Sequence, residues 1–230
     1  NLYEMQHRDR IPPNIRDFLR LIFSNDENTL HRQSKKLHAI IGERMSVLPP
    51  DTRHVAYEVI PLIIADGCLY HCNFCSVKSP RGFQVRSSEN ILEQIQQLER
   101  FYDCNLGNYN ALFLGNHDAL GAGEETICMA ASQAFRSFAF EDSYLKNPVL
   151  FLFGSVGSLL KADDQLFRRL NDLPFYTYIN IGLESADAAT LASINKPLKI
   201  SVIRDAFRKM LDINQEYDNI EITANFLLGE

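Results

Sequence analysis

The chain has 230 residues, 46% of them hydrophobic, and a formal net charge of −6 at pH 7. This length allows one large core with an appendage. The acidic balance makes nucleic acid an unexpected partner without excluding it, and no apolar run approaches the roughly 20 residues of a membrane span, so no membrane contact is expected.

The first 50 residues have the pattern of a helical extension. Pro12 and Pro13 open a first helix, and a second helix ends near Gly42. Apolar residues recur at helical spacing, namely Ile15, Phe18, Leu19 and Ile22, then Leu30, Leu37, Ile40 and Ile41. Because Pro49 and Pro50 end this pattern, we predict an N-terminal helical extension over residues 1–50 and a main domain over residues 51–230.

From residue 51 onward, strand-like runs alternate with helical patterns. The predicted strands are residues 57–64, 111–114, 149–153, 176–181 and 220–228. Most of these runs are continuously apolar, which is typical of strands that are covered on both faces. The sequence therefore predicts a parallel sheet.

Helices are predicted between these strands. Ser88 is a candidate N-cap for a helix that carries Glu89 in its first turn, and Ser201 is a candidate N-cap for another helix. Further helical segments cover residues 124–139, 163–172 and 186–194. The alternation predicts an α/β fold, either an open doubly wound sheet or a curved partial barrel, and periodicity does not choose between them.

Three of the five cysteines follow the first predicted strand. Cys68, Cys72 and Cys75 have the spacing C-x3-C-x2-C, in a loop at the carboxyl end of a strand, where α/β folds assemble active sites. Soft thiolates favour iron–sulfur clusters or zinc. Structural zinc closes its shell with four ligands, whereas a 4Fe–4S cluster held by three cysteines keeps one iron open for a small molecule.

Other interpretations of these cysteines stay open. The three thiols could belong to a zinc site completed by His71 or Cys104, or they could be incidental buried cysteines. Cys104 and Cys128 lie in helical patterns and are expected to serve packing. Since the five cysteines do not form a disulfide framework, a reducing compartment is expected, with the cytoplasm as the default location.

The stretch GCLYHCNFC, residues 67–75, resembles the signature loop of radical S-adenosylmethionine (SAM) enzymes, including the aromatic Phe74 before the third cysteine. Arg81-Gly82 and the stretch from Arg86 to Ile91 are similar to the subgroup that contains methylthiotransferases and cobalamin-dependent members. The resemblance covers about residues 55–230. It implies a partial (β/α)6 TIM-like barrel, with five strands present here, and we expect the sequence to be a C-terminally truncated fragment.

The resemblance also implies cofactors and a reaction. Cys68, Cys72 and Cys75 would hold a 4Fe–4S cluster whose open iron binds the amino and carboxylate groups of SAM. An electron from a flavodoxin- or ferredoxin-type reductant then breaks the C5′–S bond, giving methionine and a 5′-deoxyadenosyl radical that abstracts hydrogen from an unidentified substrate. The alternatives are a methylthiotransferase-like RNA modification enzyme and a non-catalytic iron–sulfur or zinc module.

The same resemblance places the SAM pocket at the strand ends. The predicted pocket residues are Gly115, Asn116, His117 and Asp118 after the second strand, Glu184 and Ser185 after the fourth, and Phe74. Asn116 and His117 depart from the Gly-Gly-Glu-like pattern of the family, which leaves Asp118 as the candidate carboxylate. No catalytic residue is assigned.

Several of these residues also have structural interpretations. His117 is nearly as compatible with a turn residue that bonds to the backbone. For Glu184 the cofactor role is preferred, and the alternative is an acid at a helix N-terminus. Lys78, Arg81 and Arg86 could neutralise the cluster or the SAM carboxylate, but surface positions are the default expectation for each of them.

Overall fold

The computed structural model describes residues 12–45, 58–75, 82–196 and 198–227. The chain falls into two compact units, Asn1–Glu43 and Arg44–Glu230. The predicted boundary between residues 50 and 51 lies outside the described residues, as do Lys78, Arg81, Pro197 and the end of the last predicted strand.

The first unit contains two helices, α1 (Pro13–Ser24) and α2 (Glu27–Ile41). Pro13 occupies the first turn of α1, where its missing N–H group costs no hydrogen bond. The Asp26 side chain caps α2 by accepting a hydrogen bond from the Thr29 N–H, and Gly42 ends α2 in the left-handed conformation with φ 77°. Both predicted helices are confirmed.

The second unit is built on a sheet of five parallel strands. These are β1 (Val59–Pro61), β4 (Ala111–Phe113), β5 (Val149–Ser155), β6 (Tyr176–Glu184) and β7 (Ile220–Phe226). They lie side by side in the order of the chain, and every pair is parallel. The predicted parallel sheet is therefore confirmed.

A short hairpin was missed by the sequence prediction. Its strands are β2 (Ala65–Asp66) and β3 (Gln84–Val85), which pair antiparallel. Two-residue strands are too short to show a periodic pattern. The hairpin nevertheless brings together the two ends of the segment that contains the three clustered cysteines.

Helices connect the strands of the main sheet. They are α3 (Ser88–Tyr102), α4 (Glu124–Ser137), α5 (Val156–Lys161), α6 (Asp164–Asp172), α7 (Ala188–Ser193) and α8 (Ile200–Glu216). Short 3₁₀ helices cover Asp103–Asn108, Ala119–Ala122 and Phe140–Asp142. No helix in the described ranges combines the length and the apolar character that crossing a membrane requires.

Both predicted serine caps are wrong by one or two positions. The cap of α3 is Ser87, whose extended backbone lets its hydroxyl accept a hydrogen bond from the Asn90 N–H at 3.2 Å. The residue before α8 is Lys199, which makes no capping bond with its side chain, and Ser201 lies inside the first turn. The N-cap side chain accepts a hydrogen bond from the N–H group two or three positions after it, and a serine that already lies within the first helical turn does not have this geometry.

Alternation along the strands divides the side chains of the sheet between two faces. One face carries an aromatic cluster of Phe113, Phe151 and Tyr178, in which the rings of Phe151 and Tyr178 stack 5.6 Å apart. Residues two positions further along the same strands share this face, so Phe153 and Asn180 continue it toward the carboxyl ends. The other face is apolar and fully buried, for example at Leu150, Leu152 and Ile179.

The first predicted strand is shorter than expected. Only Val59–Pro61 pair as a strand, and the Leu62 N–H makes a further bond to β4, to the Phe113 carbonyl at 2.8 Å. Ile63 and Ile64 are fully buried but lie beyond the paired residues. The side chain of Gln94 explains this end, because its amide accepts from the Ile63 N–H at 3.2 Å and donates to the Ile63 carbonyl at 2.9 Å. A side chain of α3 thus supplies the backbone of Ile63 with the hydrogen bonds that a neighbouring strand would otherwise make.

We therefore expect the variant Gln94→Leu to lose about 2–4 kcal/mol of unfolding free energy, because it leaves two buried backbone groups unpaired at nearly constant volume. Urea denaturation of the purified chain measures this loss. Gln96→Leu, at an exposed position of the same helix, is the matched control, and equal stability of the two variants would contradict the assignment.

Candidate functional site

A cavity of about 250 Å³ opens at the carboxyl ends of the parallel strands. Four groups of residues line it: the loop after β1, the segment after β4, the ends of β5 to β7, and the segment after α7. The lining residues are Cys68, Tyr70, Cys72, Phe74, Cys75, Asn116, His117, Asp118, Phe153, Gly154, Ser155, Asn180, Gly182, Glu184, Lys196 and Asn225.

The three clustered cysteines all face this cavity. They lie in the cysteine loop, which we define as residues 67–75. Burial raises the pKa of the Cys68 and Cys72 thiols. The charge of Asp118 and then of Cys72 raises the pKa of Cys68 further, the charge of Glu184 and then of Cys75 raises that of Cys72, and Lys196 partly opposes the rise at both. The thiols therefore interact electrostatically along the loop, and metal binding must displace their protons.

The donor set fits a soft metal centre. Three thiols from one short loop share one cavity, which suits thiolate-bound iron or zinc better than a hard cation. Within the described ranges, no three His, Cys, Asp or Glu side chains already stand as a finished ligand set. The residues therefore fit a soft metal centre in two respects, the thiol chemistry of the donors and their position around one cavity.

The structure supports the packing role predicted for Cys128 but not the other roles predicted for Cys104 and His71. His71 and Cys104 are exposed, and neither lines the cavity within the described residues. Cys104 lies in the 3₁₀ helix Asp103–Asn108 that follows α3, and its predicted packing role is wrong because it is exposed there. Cys128 is buried in α4, and its packing role is confirmed.

An ion pair closes the base of the segment that carries the cysteines. Arg86 Nε and Nη2 donate to the two carboxylate oxygens of Asp66 at 2.9 and 2.6 Å. The Arg86 N–H also donates to the Ile64 carbonyl at 2.9 Å. The default expectation of a surface position for Arg86 is wrong, because its side chain is only 12% exposed in this two-pronged pair.

Asp118 is held rigidly at one side of the cavity. Its Oδ1 accepts hydrogen bonds from the Ser155 N–H at 3.0 Å and from the Ser158 hydroxyl at 2.6 Å. Asp118 is 3% exposed, and its second oxygen, Oδ2, is buried without a hydrogen-bond partner in the described part of the chain. One carboxylate oxygen is thus fixed by the protein and the other is available to a ligand.

Glu184 and Lys196 form a buried ion pair at another side. Lys196 Nζ lies 3.2 Å from Glu184 Oε1, donates to the Gly182 carbonyl at 2.5 Å and sits 5.3 Å from the centre of the Tyr70 ring. Gly182 leaves room for this pair, because an added Cβ would stand 2.5 Å from Glu184 Oε1 and would require the carboxylate to move. Glu184 itself adopts φ 68°, an unusual conformation for a residue with a side chain.

The alternative interpretation of Glu184 as a helix N-terminal acid is wrong. Helix α7 begins only at Ala188, and its cap is Asp187, which accepts a hydrogen bond from the Thr190 N–H at 2.7 Å. The predicted segment 186–194 is thus longer than the helix. Because Glu184 ends a strand with a change of register, it points into the site rather than along the helix.

The predicted pocket residues divide into two groups. Phe74, Asn116, His117, Asp118 and Glu184 line the cavity. Gly115 and Ser185 do not line the cavity, although each is the direct sequence neighbour of a residue that does. Ser185 instead accepts a hydrogen bond from the Asp187 N–H at 3.0 Å, and Gly115 has φ 93°, so both shape turns next to the cavity.

Sequence reasoning missed Asn180 and Lys196 as site residues. Asn180 is 4% exposed, and its Nδ2 donates to Thr223 Oγ1 at 2.9 Å and to Asn225 Oδ1 at 3.3 Å. A polar residue inside an apolar strand is the signal that could have indicated Asn180. Lys196 gives a weaker signal, because its burial depends on contacts with the end of β6 and with Tyr70 of the cysteine loop.

Comparisons with known proteins agree with these observations. A family model described as the Radical SAM superfamily matches residues 62–229. The chain is 35% identical over 69 residues to ribosomal protein uS12 methylthiotransferase RimO of Synechococcus sp. (strain JA-2-3B'a(2-13)), over 25% of this chain and 15% of that protein. RimO of Acaryochloris marina (strain MBIC 11017) is 36% identical over 69 residues, over 25% of this chain and 16% of that protein.

A solved structure shares the fold. The cobalamin-dependent S-adenosylmethionine radical enzyme OxsB with aqua-cobalamin bound aligns with a TM-score of 0.50 and 16% identity, covering 73% of this chain and 23% of that chain. At this identity the likeness concerns the fold alone, and together with the five parallel strands it confirms the predicted α/β partial barrel. The chain spans less than a quarter of each of these proteins.

The ion pair between Asp66 and Arg86 gives a testable prediction. Arg86→Lys keeps the charge but cannot donate two parallel hydrogen bonds, so we expect it to lower the unfolding free energy by roughly 1–2 kcal/mol and to speed amide exchange in residues 67–75. Urea denaturation and hydrogen exchange measure both effects. Arg100→Lys, on the exposed side of α3, should change neither, and identical behaviour of the two variants would count against the role of this pair.

Proposed function

The chain belongs to the radical SAM superfamily, and we propose that residues 51–230 are the core of an enzyme that abstracts hydrogen from an as yet unidentified substrate, with residues 1–50 as a helical extension. Membership implies a 4Fe–4S cluster and SAM as cofactors. One observation carries the proposal: three thiols, a buried carboxylate oxygen and a buried lysine–glutamate pair all face the same cavity.

In this proposal Cys68, Cys72 and Cys75 are the ligands of the cluster. All three lie on one loop and face one cavity. Three protein ligands hold three irons and keep one coordination position open, which is what a small-molecule ligand of the cluster needs. When bound and reduced, the cluster and SAM together supply methionine and a 5′-deoxyadenosyl radical, the agent of hydrogen abstraction.

Asp118 is the proposed acceptor for the methionyl ammonium group of SAM. Its Oδ1 is held by Ser155 and Ser158, and its Oδ2 is buried and without a partner among the described residues. Leaving a buried carboxylate oxygen unpaired is costly, whereas a charge-assisted hydrogen bond from an ammonium group is favourable. Asp118 thus replaces the acid of the family pattern, with Asn116 and His117 beside it and Gly115 in the turn.

Glu184 is the proposed contact for the ribose of SAM. Its carboxylate is fixed by Lys196, so it does not have to be ordered when the ligand arrives. Ser185 borders this part of the pocket. The aromatic side chains of Phe74, Tyr70 and Phe153 face the same cavity and limit the access of water to a reactive intermediate.

The partners are a substrate and a reductant, for which a flavodoxin- or ferredoxin-type protein is proposed. The match to RimO over 69 residues favours a methylthiotransferase as the second candidate. A methylthio transfer that takes its methyl group from SAM releases S-adenosylhomocysteine, and hydrogen abstraction alone does not. Detection of S-adenosylhomocysteine beside 5′-deoxyadenosine would therefore favour the second candidate.

We expect the anaerobically reconstituted chain to bind about four irons and, when reduced with dithionite, to cleave SAM to 5′-deoxyadenosine. Cys72→Ala should reduce cleavage at least about 100-fold, because a cluster ligand is lost. Iron analysis and chromatography of the nucleoside product measure these outcomes. Cys104→Ala, at an exposed cysteine outside the cavity, should retain both properties. Zinc in place of iron, or equal cleavage by the two variants, would refute the assignment.

A second prediction concerns Asp118. Asp118→Asn keeps the shape and the acceptor for Ser155 and Ser158 but removes the negative charge from the cavity. We expect SAM affinity to fall about 10- to 100-fold, the loss that corresponds to one hydrogen bond between charged groups. Calorimetric titration of the reconstituted protein with SAM measures the change. Asp172→Asn, at an exposed carboxylate at the end of α6, serves as the control, and unchanged affinity in Asp118→Asn would exclude this role.

A further inference from the structure

The end of helix α7 is in direct contact with the cysteine loop. The Asn73 N–H donates to the Ile194 carbonyl at 2.9 Å, and Asn73 Nδ2 donates to the Ser193 carbonyl at 3.1 Å. In the opposite direction, Asn195 Nδ2 donates to the His71 carbonyl at 3.0 Å. Three hydrogen bonds therefore join residues that lie at least 120 positions apart in the sequence.

These contacts use groups that a helix end leaves unsatisfied. The last carbonyls of an α-helix have no partner within the helix. Here Asn73 of the cysteine loop supplies donors to two of them, at Ser193 and Ile194. The loop thus acts as part of the C-terminal cap of α7, and the cap in return holds the middle of the loop between Cys68 and Cys75.

The conformation of Asn195 is built for this contact. Asn195 has φ 58° and its N–H donates to the Ala192 carbonyl at 3.1 Å, while the Lys196 N–H donates to the Leu191 carbonyl at 2.9 Å. This pair of bonds defines a Schellman motif, in which the left-handed position favours glycine and also accepts asparagine. Glycine would satisfy the backbone, so the asparagine side chain has a separate purpose, which is its bond to the loop.

The same motif also fixes Lys196. Because its N–H is bonded in the cap, the Lys196 side chain starts from a defined position and reaches Glu184 and the Gly182 carbonyl. Its ammonium group lies 5.3 Å from the Tyr70 ring centre in the cysteine loop. One helix end thus contacts both the loop that carries the thiols and the acid proposed to contact the ribose of SAM.

We infer that the C-terminal cap of α7 is a docking element for the cysteine loop, and that Asn73 and Asn195 are positioning residues for the iron–sulfur cluster. The inference rests on the proposed function for the identity of the metal centre. The docking itself rests only on contacts within the chain.

The test uses the full chain with Asn73→Ala and Asn195→Gly, singly and combined. Asn195→Gly retains the left-handed conformation and the cap but removes the bond to His71. Asn147→Gly is the matched control, because Asn147 is also exposed and left-handed, with φ 62°, but lies outside the loop and the cap. The control reports the effect of the same substitution on the backbone alone.

The first measurement is amide hydrogen exchange in the metal-free protein. We expect the combined variant to exchange about tenfold faster than wild type in residues 70–75, since two hydrogen bonds that oppose local opening are lost. Asn147→Gly should exchange in this loop as the wild type does. Wild-type exchange in the combined variant would overturn the docking.

The second measurement follows the metal centre after anaerobic reconstitution. The combined variant should lose iron to a chelator faster than wild type, and the electron paramagnetic resonance spectrum of its reduced cluster should shift or broaden. Its thermal midpoint should stay near that of Asn147→Gly. Faster exchange with unchanged iron retention and an unchanged spectrum would overturn the positioning role. Absence of iron from the wild type would instead overturn the proposed function, and hydrogen exchange would still decide the docking.

Discussion

The site depends on the interactions that compensate the buried charge of the Lys196 ammonium group. A lysine that is 3% exposed must have its charge compensated, and here Glu184 and the Gly182 carbonyl provide the compensation. Both partners come from the end of one strand. A Cβ at position 182 would displace the Glu184 carboxylate, and Glu184 adopts a left-handed conformation where the strand changes register. The stretch from Gly182 to Glu184 thus accommodates the buried charge.

The parallel sheet places this charge beside the cysteine loop. On the face that carries the aromatic cluster, aromatic rings occupy the amino-terminal half of the strands. Phe153, Asn180 and Glu184 occupy the carboxyl ends and line the cavity. Since all the strands of the sheet run in one direction, the loops that follow them meet at one edge. The thiols, the Asp118 carboxylate and the Lys196 ammonium group come from different parts of the sequence, and this shared edge brings them together with the cap of α7 that holds Lys196 beside the cysteine loop.

The sequence predicted well what depends on local pattern. The parallel strands appear in the sequence as apolar runs, and the cysteine loop is recognised by the spacing of its three cysteines, so both could be predicted from the sequence alone. The failures have physical reasons. The β2–β3 hairpin is too short for periodicity, and the first strand ends early because Gln94, a residue of the next helix, replaces a strand partner. Arg86 looked like a surface residue because its partner, Asp66, lies across that unpredicted hairpin.

The site residues that were missed share another property. Lys196 and Asn180 are polar groups whose partners lie on other elements of the fold. The polar position inside an apolar strand is a local signal for Asn180, whereas the burial of Lys196 has no comparable local signal. Asp118 and Asn180 each keep one buried oxygen without a hydrogen-bond partner among the described residues, and both line the same cavity. Water, an ion or a ligand can supply the missing donor for such an atom, and buried oxygens that are unpaired within the described part of the chain also occur away from the cavity, at Asn110 and Thr177. The oxygens of Asp118 and Asn180 differ from those two because their residues line the same cavity as the three clustered thiols. Their place beside the cysteine loop therefore makes them the oxygens whose pairing a bound ligand would change.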